Sequence, residues 1–327
     1  MSLDADLIVD RRRIRRKLTF WRVVAVLIAI VAIVGLAASV TKRGGGMTAG
    51  GDYIARIQIT GLIRNDQERV EALERLSKAS AAKAVIVHID SPGGTTAGSE
   101  QLHTALKGVA AAKPMVVVVD GLAASGGYIA AMSADHIVAQ ETSLVGSVGV
   151  LFQFPNFTDV LKTVGIKVEE IKSSPLKAAP NGFEPTSPEA REAIAALVRD
   201  SYGWFRGLVT TRRKLDGDAL ERVADGRVFT GRQGLELKLI DQLGDEKTAI
   251  AWLARERGVS DKLPVRDWQL KDRFSDLSFL HLSTAAVLDA VGLKDLAARL
   301  ATAGTLQTIE KLNLDGLLAL WHPSATN

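Results

Sequence analysis

Ser125 stands in Ala123-Ala-Ser-Gly-Gly127, directly after an apolar run and before a stretch with helical spacing. A serine so placed presents its Oγ at a helix N-terminus, where unpaired backbone N–H groups favour a developing negative charge. Gly126 lets a carbonyl come close, and its N–H can serve as one donor to an oxyanion. The same residues also suit a plain strand-to-helix turn in which serine is only the N-cap. A second glycine turn, Ser91-Pro-Gly-Gly94, closes the preceding apolar run, and Gly94 is the residue placed to supply a second donor opposite Gly126. Two glycine turns at neighbouring strand ends, one bearing a serine, point to nucleophilic chemistry at a carbonyl.

A serine nucleophile needs a base. Of the five histidines, His88 sits inside a buried run and reads as a satisfied core histidine, His103 lies on a helix face and His136 begins a strand. His281 and His322 fall in a peripheral tail, so no spacing recommends a histidine. Lys177 lies among Leu176, Ala178 and Ala179, bracketed by Pro175 and Pro180. An apolar, proline-stiffened loop can desolvate an ammonium and lower its pKa. Moving a lysine from about 10.4 to about 7 disfavours the charge by roughly 4–5 kcal/mol. Burial supplies that only in the absence of a carboxylate partner, and no acid adjoins Lys177 in sequence. Lys172 is the rival, but it follows Glu169 and Glu170. Ser147, in Leu144-Val-Gly-Ser-Val-Gly-Val150, is a third hydroxyl that can orient a lysine amine, or simply a small residue in a tight strand.

These side chains must be positioned by the elements around them. Ile54, Ile57 and Ile59 mark a first strand, and residues 67–79 have helical spacing. Ala84–Ile89 is a buried strand closed by a turn at 90–94, with a helix over about 97–111. Met115–Val119 is a second buried strand, a helix follows from Gly126, and short strands are predicted at 137–139 and 148–152. Strands alternating with helices predict an α/β domain with a largely parallel sheet, whose sites lie beyond the carboxyl ends of the strands. Residues 188–214 form a long helical candidate, 226–231 a loop, and two further helices follow. The domain is expected over 53–262, with 263–327 as a helical extension; Val148–Phe154 is a candidate pocket wall.

Ahead of the domain, Val23–Val40 is an eighteen-residue uncharged stretch. As a helix it rises roughly 27 Å, about the hydrocarbon thickness of a bilayer. Residues 1–22 are basic and 41–52 form a glycine-rich linker, so the charge bias predicts a cytoplasmic N-terminus and a domain across the membrane. The length of the run favours a retained anchor over a cleaved signal peptide, although Ala37-Ala38-Ser39 would suit cleavage. The net charge of +4 is accounted for by this basic segment, which gives no global case for nucleic acid. The absence of cysteine excludes disulfides and thiolate chemistry; no cofactor or metal is expected.

The segments Asp90-Ser-Pro-Gly-Gly-Thr95, Ala123-Ala-Ser-Gly-Gly-Tyr-Ile129, Gly146-Ser-Val-Gly-Val150 and Gly226-Arg-Val-Phe-Thr-Gly231, with the anchor, resemble the short form of signal peptide peptidase A over about 53–257. The resemblance implies a ClpP/crotonase-like fold and a Ser/Lys dyad. It implies Ser125 as nucleophile, Lys177 as general base, Ser147 as the hydroxyl holding the lysine, and Gly94 and Gly126 as oxyanion donors. Pro175-Leu176 replaces the more polar pair of many relatives. The implied substrates are signal peptides left in the membrane. The implied assembly is a homo-oligomer, an octamer in the short form, whose dyad can draw its lysine from the neighbouring protomer. Two other readings are an acyl-CoA enzyme of crotonase type and a non-catalytic scaffold beside the membrane.

Overall fold

The computed structural model describes residues 51–270 and 318–320. The basic segment 1–22, the stretch 23–40, most of the linker 41–52, His281 and His322 lie outside the described residues. Among the described residues no helix is long and apolar enough to cross a membrane.

In chain order the strands are β1 (Tyr53–Ile63), β2 (Ala82–Thr95), β3 (Met115–Ala124), β4 (His136–Ala139), β5 (Leu144–Gly146), β6 (Val228–Thr230), β7 (Gln242–Leu243), β8 (Val265–Asp267) and β9 (Leu318–Leu320). The helices are α1 (Gln67–Lys78), α2 (Thr96–Ala112), α3 (Gly126–Ala131), α4 (Thr158–Thr163), α5 (Pro188–Arg213), α6 (Gly217–Glu221), α7 (Gly231–Glu236) and α8 (Glu246–Arg257). One sheet runs β6-β5-β3-β2-β1-β8, with β4 beside β3, β7 beside β4 and β9 beside β2. The pairs are parallel except β5 with β6 and β2 with β9.

Side-chain parity divides the core. Ala55, Ile57, Val85, Val87, Val117 and Val119 face one side, where they pack with Leu73 and Leu76 of α1, Leu106 of α2, Tyr128 of α3 and Phe205 of α5. Ile54, Ala84, Ile86, Val116 and Val118 face the other, against Ala249 and Leu253 of α8. Strands covered on both faces read as continuous apolar runs, which is why Val116–Val119 carries no polar residue. Each such side chain contributes about 1.5–3 kcal/mol on full burial.

Three local expectations are corrected. Residues 90–94 are not a turn: β2 runs through them to Thr95, with register shifts at Ile89/Ser91 and, on β1, at Thr60/Leu62. A bulge tolerates Pro92, whose missing N–H would otherwise break a ladder. Residues 148–152 are not a strand, because the chain turns at Gly146 (φ 93°) and Ser147 (φ 53°), and the paired segment is Leu144–Gly146. The expected loop 226–231 contains β6, antiparallel on β5. Past the expected domain boundary at 262, β8 pairs β1, and the indole of Trp268 donates to the Ala72 carbonyl at 3.2 Å.

Candidate active site

β3 delivers Ser125 and α3 carries the chain away. Ser125 is 1% exposed and adopts φ 53°, ψ −113°, a conformation unusual for a residue with a Cβ. It occupies the N-cap position of α3, yet its side chain makes no capping hydrogen bond. Asp66, Thr95, Ser187, Thr230 and Asp245, at the same position of five other helices, each accept a backbone N–H. Among the described residues the hydroxyl of Ser125 instead reaches only the Gly149 carbonyl, at 3.5 Å. The simple-cap reading therefore fails here, and the hydroxyl is left uncommitted in a strained elbow between strand and helix.

The backbone around it is tightly fixed. The Ser125 amide donates to Gly146 at 2.8 Å, and the Ser147 amide donates to Arg227 at 2.8 Å. Gly127 packs so closely on β2 that an added Cβ would lie 2.6 Å from the Ser91 carbonyl. Gly94 is equally confined: a Cβ there would lie 1.7 Å from the Ile63 carbonyl of β1. Packing alone thus demands glycine at 94, whatever its N–H does. Sequence reading gave Ser91 no role of its own, but it is fully buried and fastens this corner. Its hydroxyl donates to Gly61 at 2.7 Å and accepts from the Gly93 amide at 3.1 Å. A serine at the mouth of a Pro-Gly-Gly segment, able to bond backbone two residues on, is the signal that could have found it.

Beside the serines lies a cavity of about 460 Å³ lined by Ser147, Val148, Val150, Leu151, Val198 and Tyr202. Phe152 and Phe154 line a different cavity, with Pro180 and Ile194. The expected wall 148–154 is therefore split between two recesses.

The lysines separate clearly. Lys172 bonds Glu170 at 2.8 Å and Glu184 at 2.5 Å. These carboxylates, Glu170 first, raise its pKa and keep the ammonium charged. Lys177 is exposed, so its loop does not desolvate it within one chain; Ile171 and Leu176 of the same loop are exposed as well. Among the described residues Lys177 forms no ion pair and does not bond Ser125 or Ser147. One chain brings Ser125, Ser147, Gly94 and Gly126 to the carboxyl ends of β2, β3 and β5.

The histidines serve other ends. His88 is not a core residue but bridges Asp120, at 2.9 Å, and Glu246, at 2.8 Å. His103 bonds the Ile129 carbonyl at 2.8 Å, and His136 stacks on Trp252 at 4.6 Å. None of the three bonds Ser125.

Comparison with known proteins agrees with this arrangement. The model of peptidase family S49 matches residues 107–260, which hold Ser125, Ser147 and Lys177. The Clp protease model matches residues 53–144, the parallel core with Gly94 and Ser125, and the mixed α/β fold is ClpP-like. A Synechocystis sp. protein named as a protease is 38% identical, over 63% of this chain and 75% of its own. A protein of Methanocaldococcus jannaschii, also named as a protease, is 33% identical over 59% of this chain and 62% of its own. The chloroplastic serine protease SPPA of Arabidopsis thaliana is 31% identical over 63% of this chain, but over only 32% of its own length. On these matches the chain belongs to peptidase family S49 and is a serine peptidase.

Proposed function

We propose that the chain is a membrane-anchored endopeptidase that cuts short apolar peptides, remnant signal peptides among them, by a Ser125/Lys177 dyad. The observation that carries the reading is the hydroxyl of Ser125, held in a strained elbow and not spent as a cap. Neutral Lys177 Nζ takes the Oγ proton while Oγ attacks the peptide carbonyl, and the N–H groups of Gly94 and Gly126 hold the oxyanion. The ammonium returns the proton to the leaving amine. A water that gives its proton to Lys177 then attacks the acyl ester, and the ammonium passes that proton to the departing Ser125 Oγ, which restores both groups. Ser147 orients the amine.

The base comes from a neighbouring copy. Lys177 is exposed in the single chain, and the surrounding segment also exposes Phe157, Val160, Val164, Ile166 and Phe183. Exposed apolar groups gathered in one segment mark an interaction surface. A neighbouring copy packed on that surface would shield the Lys177 amine from water. The resemblance to the short form of signal peptide peptidase A supports an octamer. The apolar stretch 23–40 and the basic residues before it support an anchor with the N-terminus in the cytoplasm and the peptidase domain on the opposite side.

The test uses the full chain and a fluorophosphonate probe, alongside cleavage of a fluorogenic apolar peptide. Wild-type protein is expected to label and cleave, and Ser125→Ala to do neither. Cleavage undiminished in Ser125→Ala sinks the assignment.

A further inference from the structure

Ser91 sits where the sheet is irregular on both sides. Toward β1 the ladder passes from Thr60↔Asp90 to Leu62↔Gly93, so Ser91 and Pro92 stand against the one residue Gly61, which makes a bulge. Toward β3 it passes from Ile89↔Val119 to Ser91↔Ala123, two residues before Ser125. Pro92 has no N–H, and Gly61 (φ 67°) and Gly93 (φ 104°) hold backbone conformations that glycine alone adopts freely. A ladder interrupted in this way leaves backbone groups to be satisfied by other means. The Ser91 hydroxyl satisfies two of them at once, giving its one hydrogen to the Gly61 carbonyl and a lone pair to the Gly93 amide.

The consequence reaches the amides assigned to the oxyanion. Gly93 precedes Gly94, and a Gly-Gly pair has no side chain to fix its dihedrals, so the bond from the Gly93 amide to Ser91 selects one of many conformations. On its other side Ser91 meets α3, where a Cβ on Gly127 would lie 3.3 Å from the Ser91 Cβ as well as against the Ser91 carbonyl. Gly127 follows Gly126. One fully buried residue therefore holds the neighbour of each donor, Gly93 through its hydroxyl and Gly127 through packing. We propose that Ser91 is a positioning residue, whose hydroxyl fixes the Gly94 amide relative to the Gly126 amide and so sets the width of the oxyanion site. The inference rests on Ser125 as the nucleophile and on those two donors, and adds what keeps the donors in register.

The test compares, in the full chain, Ser91→Ala with Ser91→Cys, which keeps a weak donor of similar size. Rates of cleavage of a fluorogenic apolar peptide are divided by the amount of serine that fluorophosphonate labels at completion, so that unfolded protein does not count. For Ser91→Ala, kcat per labelled serine is expected to fall about 10–100-fold, short of the roughly 10²–10³-fold that follows outright loss of a donor. KM should stay within about two-fold, since the oxyanion exists only along the reaction. A peptide aldehyde adds the Ser125 O–H across its C=O and leaves an oxygen where the oxyanion would stand. Its affinity is expected to fall by the same factor as kcat. Ser91→Cys should lie between wild type and Ser91→Ala, and it carries the test if Ser91→Ala fails to fold. Unchanged kcat per labelled serine in a folded variant, or a loss confined to KM with aldehyde affinity intact, overturns the role of Ser91 and leaves the nucleophile standing. Wild-type protein that neither labels nor cleaves, or Ser125→Ala that cleaves undiminished, removes the nucleophile and the role of Ser91 with it.

Discussion

The backbone amide of Ser125 donates to the carbonyl of Gly146 at 2.8 Å, which ties the turn at Ser125 to the residue preceding Ser147. Both serines have φ 53°. Two left-handed turns, one leaving β3 and one leaving β5, thus bring both serines to one corner. Such backbone costs about 1–3 kcal/mol at each residue and persists only where its surroundings over-determine it. Here the pairing of Ala124 with Gly146 and the contact of Gly127 with Ser91 supply that constraint.

The strain at Ser125 has a thermodynamic signature. Glycine adopts this conformation freely and alanine does not, so Ser125→Gly is expected to be more stable than Ser125→Ala by about 1 kcal/mol. Both should be inactive. Thermal unfolding reads the difference as a melting temperature roughly 2–4 °C higher for the glycine variant. Equal melting temperatures would mean that the elbow stores no strain.

Lysine substitution separates the two candidate bases. Lys177→Ala is expected to lower kcat by about 10²–10⁴-fold, the range for loss of a general base. Lys172→Ala should leave kcat nearly intact, since Glu170 and Glu184 hold that ammonium charged. If the base crosses between copies, co-assembling Ser125→Ala with Lys177→Ala should restore activity at about a quarter of the sites for random mixing. Two inactive proteins that stay inactive together would place the dyad within one chain.

His103 sets an acid limit on the same corner. Burial, foremost, lowers its pKa, helped by the charges of Lys107 and Arg212 and opposed by its bond to Ile129. The folded chain therefore resists a proton that the unfolded chain accepts. Stability conferred this way is full above the ordinary histidine value of about 6.5 and is lost as pH falls from there toward the depressed folded value. The Ile129 carbonyl belongs to the last turn of α3, where helix carbonyls lack in-helix partners. His103→Gln keeps a donor but cannot titrate. Its melting temperature is expected to fall less than the wild type's between pH 7 and pH 5; parallel slopes would clear His103 of the effect.

Much of the scaffold was legible because its signals are local. Ser187 before Pro188 announces a helix start, and α5 runs from Pro188 to Arg213 with Lys214 as its left-handed cap. The valines of β3 announce a strand buried on both faces. Ser125 was singled out from its glycines, and the fold places it in the turn between β3 and α3. What escaped depends on partners distant in sequence. Pro92 and Gly93 read as chain breakers, but β1 and β9 draw them into the sheet. Val228–Thr230 is too short to declare itself without β5. The surroundings of Lys177 were inferred from its neighbours along the chain, and the fold leaves those neighbours at the surface.

The 1% exposure of Ser125 also acts as a gauge of thickness. Were Ser125 the attacking residue, as proposed, a hydroxyl so nearly sealed would be met more readily by a single polypeptide at full stretch than by a loop backed by its own folded core.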